Sequence, residues 1–136
     1  MDMQYSRVYR SIWSDRKFEA LAPNEKYVFL WVLTHPRITP SGVIELSLPQ
    51  AELMLGLERD AIIASLRELT SSGMVQLDEE TLEVVIINHD KYHWRQGLTT
   101  QGKAVAKDID SIQSASIRTF VTSRANYYWP DLVKEA

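Results

Sequence analysis

GLERDAIIASLRELTSSGMVQLDEETLEVVIIN, residues 56–88, contains two glycines and one change of hydrophobic period, and the fold turns on how it is read. Between the glycines, Ile62, Leu66 and Leu69 recur at the i, i+4, i+7 spacing of one helical face, which predicts a helix over 58–72. Gly73 is its stop, since a helix end favours a residue that tolerates the left-handed conformation. Beyond Gly73 the period shortens. Met74–Leu77 and Leu82–Asn88 are apolar and β-branched, and Asp78-Glu79-Glu80-Thr81 joins them as the turn of a hairpin.

The residues before this stretch extend the pattern. Gly56 closes a helix that Ser47 can cap, with Pro49 in its first turn and Leu48, Leu53, Met54 and Leu55 on the buried side. Ahead of it, Gly42 introduces Val43, Ile44 and Leu46, a short strand. Residues 24–35 predict a core helix, because Tyr27, Phe29, Leu30, Trp31 and Leu33 make it apolar all round; His35-Pro36 stops it. Asp15 can cap a short lead-in helix over 16–21. Downstream, residues 89–100 read as irregular, polar and aromatic. Ala104, Val105, Ile109, Ile112, Ala115, Ile117, Phe120 and Val121 then predict one long helix over about 102–124, placed to pack on the preceding unit or to pair with a second copy as a homodimer. Asn126-Tyr127-Tyr128-Trp129-Pro130 reads as a docking segment.

Helix, strand, helix, tight turn, helix, hairpin is the order of a winged helix-turn-helix, so the expected class is α+β, mainly α, with a C-terminal long helix. Residues 1–95 would form the winged helix with its lead-in, and residues 96–136 a helical extension. The lead-in RVYRSIWSDRKFEALAPNEKYVFLWVLTHP, followed by SGVIEL, GLERDAIIASLRELTSSGMV and a hairpin ending in VVIIN, resembles the N-terminal winged-helix domain of phage and prophage replisome organisers, the DnaD-like replication initiators. The resemblance covers about residues 5–95. It implies binding of origin DNA or self-association through this domain, and a replication or host protein as partner. Many members carry a further domain that engages the helicase-loading machinery, and 136 residues leave little room for one.

Composition sets limits on this reading. With 45% hydrophobic and 24% charged residues the chain is long enough for an ordinary globular core. The absence of cysteine removes disulfides, thiol nucleophiles and cysteine-based metal sites. No apolar run is long enough for a membrane span, and the opening residues lack the apolar stretch of a signal peptide, so a cytoplasmic protein that does not enter membranes is expected. A net charge of −3 gives no global attraction to nucleic acid, so any such contact must be local.

Two kinds of local site are candidates for double-stranded DNA. On the predicted recognition helix, Arg59 and Arg67 supply donors for phosphates and base edges, and Ile63 an apolar contact for a thymine methyl. Elsewhere, residues 5–18 hold Arg7, Arg10, Arg16 and Lys17 against Asp15, and residues 84–107 hold Lys91, Arg95, Lys103 and Lys107 against Asp90. Each stretch is net +3 and interleaves aromatics, which suits phosphate neutralisation combined with stacking. The contacts expected are thus Arg59, Ile63, Arg67, Arg7, Arg10, Lys91, Arg95, Lys103 and Lys107. The hairpin turn holds Asp78, Glu79, Glu80 and Glu83 and no base, so it is not expected to enter a groove.

An enzyme is not expected. The glycines are too scattered for a phosphate loop, no nucleophile-elbow pattern occurs, and the only paired carboxylates lie in an exposed turn. His89 and His93 stand four apart without a third ligand cluster, so neither a metal nor a cofactor is expected. Two other readings remain open: a winged helix used as a protein-interaction module, favoured by the acidic hairpin and the Ile63/Ala64 patch, and a transcriptional regulator.

Overall fold

Polar side chains that accept the free N–H groups of a first turn set where several helices begin. In the computed structural model, which describes residues 4–135, Asp15 accepts the Phe18 N–H at 3.0 Å and opens α1 (Arg16–Glu19). Met1 to Met3, at the head of the opening stretch, and Ala136 lie outside the described residues. Glu25 reaches back to the Ala22 N–H at 3.0 Å and, with Pro23 in the first turn, opens α2 (Pro23–Leu33). Ser47 accepts from the Gln50 N–H at 3.4 Å and opens α3 (Leu48–Leu55), which Gly56 closes. α4 (Arg59–Ser71) follows directly, and the lead-in before α1 forms a 3-10 turn over Arg10–Ser14.

The strands are β1 (Val43–Glu45), β2 (Val75–Asp78) and β3 (Glu83–Ile86), and they form an antiparallel sheet in the order β1-β3-β2. Val43 lies opposite Val85 and Ile44 opposite Val84, while Leu77 faces Val84 from the other side. Every residue of the central strand is buried. Successive side chains of a strand point to opposite faces, so β3 feeds two cores. Val84 and Ile86 join Ile44, Val75, Phe18, Val28, Val32, Ile62, Leu66 and Leu69, the core beneath α1, α2 and α4. Val85 and Val43 join the C-terminal helices on the other face.

Those helices depart from the single long helix expected over 102–124. The chain forms α5 (His89–His93), α6 (Thr99–Ser111) and α7 (Ala115–Tyr128), with a break at Ile112–Ser114. The break has a physical cause in β3. The buried Glu83 carboxylate accepts the backbone N–H of Gln113 at 3.0 Å and of Ser114 at 2.7 Å, and Ser114 in turn caps α7 by accepting the Ile117 N–H at 3.2 Å. A continuous helix would need those N–H groups for its own ladder. The short helix α5 likewise replaces part of the irregular stretch expected over 89–100. Of the C-terminal aromatics, Trp129 is buried against α6, where a Cβ on Gly102 would lie 2.7 Å from its indole, whereas Tyr127 is exposed.

The apolar residues Val105, Ile112, Ile117, Val121 and Ala125 thus pack against the sheet of the same chain. The result is three layers, α+β and mainly helical, with the small sheet in the middle.

Candidate nucleic-acid interface

α4 offers less free cation than its sequence suggests. Arg59 donates through Nε and Nη2 to Glu52 of α3, at 3.2 and 2.8 Å. Arg67 donates through the same two atoms to the carboxylate of Glu79 in the hairpin turn, at 3.1 and 2.6 Å. The Arg67 hydrogen bonds hold the Glu79 carboxyl below its ordinary range. Both pairs are exposed, so each is a weak contributor to stability. Any phosphate brought to α4 would meet each arginine as half of a neutral pair. Ile63 is half-buried beside them.

The lead-in behaves differently. Tyr9 meets Tyr92 of α5 edge to face, with ring centroids 5.1 Å apart, and the Arg7 N–H donates to His93 Nε2 at 3.2 Å. These two contacts bring the two basic stretches of the sequence together on one surface. Arg7, Arg10, Lys91 and Arg95 are all exposed there, and none of them forms an ion pair among the described residues. Tyr5, Tyr9, Trp13 and Tyr92 are exposed as well, Tyr5 by 82% and Trp13 by 64%, so faces for stacking stand beside the cations. Asp90, the acid in the second stretch, is turned inward and neutralised: Arg124 of α7 donates to its Oδ1 at 2.9 Å and the Tyr128 hydroxyl to its Oδ2 at 3.3 Å. Lys103 and Lys107 lie a turn apart on the exposed side of α6. α6 is tied to α5 by Gln101, whose Oε1 accepts the Arg95 N–H at 2.7 Å and whose Nε2 donates to the His93 carbonyl at 2.7 Å.

α5 is held by two histidines that the sequence left without a role. His89 and His93 stack nearly parallel at 4.4 Å, an arrangement that aims their lone pairs apart rather than at a shared ion. His89 Nε2 bonds the Pro40 carbonyl at 3.2 Å, and Trp94 Nε1 donates to the same oxygen at 2.8 Å. Burial, with a smaller contribution from His93, pushes the His89 imidazole down to about 4. Among the described residues no group of His, Asp and Glu is arranged to hold a metal ion.

The sequence did not foretell that Glu52 and Glu79 close off Arg59 and Arg67. The signal was present: a base-free acidic turn follows an arginine-bearing helix in a tight fold. No protein-family model, curated protein or solved structure matches the chain.

Proposed function

We propose that this chain is a winged helix-turn-helix DNA-binding protein whose contact surface is the lead-in together with α5, rather than the recognition helix α4. The order α2, β1, α3, α4, β2, β3 and the sheet order β1-β3-β2 support the winged-helix reading. The observation that carries the function is the Tyr9–Tyr92 contact, which sets a segment bearing exposed Arg7 and Arg10 against one bearing exposed Lys91 and Arg95. The resemblance to replisome organisers makes replication initiation in a phage or prophage setting the favoured role, and transcriptional regulation the alternative on the same surface. No step of catalysis belongs to this reading, and the protein would act in the cytoplasm.

The test is fluorescence anisotropy with labelled duplex and single-stranded DNA over a range of salt. Engagement of Arg7, Arg10, Lys91 and Arg95 predicts that log affinity for duplex falls with log salt at a slope of about −3 to −4, at about −0.9 per phosphate neutralised. Reversing Arg7 and Arg10 to glutamate should abolish binding, whereas reversing Arg59 and Arg67 should change it by less than about threefold. The opposite pattern returns the contact to α4.

A second reading has its own observation. Leu53, 86% exposed, and Met54 on α3 stand near Tyr27, whose hydroxyl donates to the Leu55 carbonyl at 3.0 Å. This apolar patch suits a protein partner, and sedimentation of the chain alone, with Leu53→Ser as control, separates self-association from DNA binding.

A further inference from the structure

Beneath the lead-in lies a cleft of about 130 Å³, open to solvent along one side. Its floor is apolar and belongs to the main core: Phe18 is fully buried, and Phe29 and Ile86 nearly so. Tyr92 forms one wall. Arg7 and Lys17, both exposed, line the cleft as well, and neither forms an ion pair among the described residues. The acid that lines the cleft, Asp15, has its Oδ1 occupied by the Phe18 N–H.

We infer that this cleft binds a small organic acid, a ring-sized apolar body carrying one carboxylate. The volume fits the body, since a cavity of roughly 150 Å³ lined by apolar side chains takes a benzene ring. The two cations fit the head group: a guanidinium offers paired donors to a carboxylate, and an ammonium a point charge. An apolar floor with a few charged groups in the lining is the usual design of a small-ligand site. The acid enters with its ring between Phe29 and Tyr92 and leaves its carboxylate to Arg7 and Lys17.

Thermal melting of the intact chain with four probes tests this. Benzoate and cyclohexanecarboxylate should raise the melting temperature saturably, as a ligand of the folded state must. Acetate has the charge without the body, and benzamidine has the ring with the opposite charge; neither should act. Ser11→Trp, which fills the cleft from an exposed position of the lead-in, should remove the benzoate effect. Lys17→Gln, on an exposed side chain, should weaken benzoate by about tenfold while leaving the unliganded melting temperature in place. Benzamidine matching benzoate, no response to either acid, or a full benzoate response in both variants overturns the site. The measurement uses no DNA, so its outcome is independent of the DNA-binding reading.

Discussion

His89 is held neutral by its surroundings. Its Nε2–H donates to Pro40, while Nδ1 is buried with no partner, so a second proton would place both a charge and an unmatched donor in the interior. Gly42 makes room for the ring: a Cβ there, where φ is +79, would stand 2.5 Å from the His89 imidazole. Since the folded-state value is lowered from 6.5 to about 4, the unfolded chain binds the proton more readily between those limits. The stability this group contributes is therefore complete above pH 6.5 and lost as pH falls toward 4, by about 3 kcal/mol over the whole window. Urea unfolding at pH 7.5 and pH 4.5 should show a larger loss for the wild type than for His89→Phe, and equal losses would remove His89 as the cause. Burial also lowers His93, and its protonation would take away the acceptor of the Arg7 N–H, loosening the lead-in in the same direction. The sequence showed two histidines four apart with no third ligand cluster, on which a metal was not expected. Their stacking and their bond to Pro40 depend on a loop 49 residues away and had no local signal.

At the scale of elements, what was legible was what is local. Asp15, Ser47 and Gly73 mark ends that the structure keeps within a residue or two, because a cap or stop is decided by its nearest neighbours. The break between α6 and α7 was half legible. Val105, Ile109 and Ile112 keep a helical period, Ile117, Val121 and Ala125 keep another, and the two are out of phase across Gln113 and Ser114. The acceptor that makes the break favourable is Glu83, which comes from the sheet and was counted in the sequence only as one more acid of the turn. Opposite it in register lie Glu45 and Asp78, so without the Gln113 and Ser114 N–H groups three carboxylates would repel across neighbouring strands. Glu83→Ala leaves the buried Ser114 N–H and the part-buried Gln113 N–H unmatched and should cost about 1–3 kcal/mol in chemical denaturation. Glu83→Gln keeps an acceptor and should cost less. A gain in stability in both variants, each of which removes the charge, would mean that repulsion, not capping, decides the site. The α4 arginines make the same point about non-local partners. Glu52→Gln with Glu79→Gln should leave the fold intact and free both cations, and on the proposed DNA-binding reading should steepen the salt slope for duplex in anisotropy.

The whole molecule is organised around one short strand. β3 gives Val84 and Ile86 to the core under α2 and α4, and Val85 to the core under α6 and α7, while Glu83 pins the start of α7. The sequence showed the first core through redundant periodicity in several elements. It left open what the C-terminal helices cover, because an apolar helical face looks the same whether it meets a sheet or a second chain. Charge follows the same division. The two aromatic stretches carry +3 each, so the remainder carries −9 within a total of −3, and the net value conceals a basic surface on an acidic body. A shared central strand also constrains unfolding. Neither helical layer can leave without exposing one face of β3, so the two cores should melt together rather than in sequence. Leu66→Ala in the first core and Ile117→Ala in the second, both fully buried, should each cost about 2–5 kcal/mol. In both variants far-UV circular dichroism and tryptophan fluorescence should report one coincident transition, since Trp31 packs against the first core and Trp94 and Trp129 belong to the second. An early fluorescence change confined to Ile117→Ala would mean that α6 and α7 unfold as a separate layer. The sheet would then serve the two cores without coupling them.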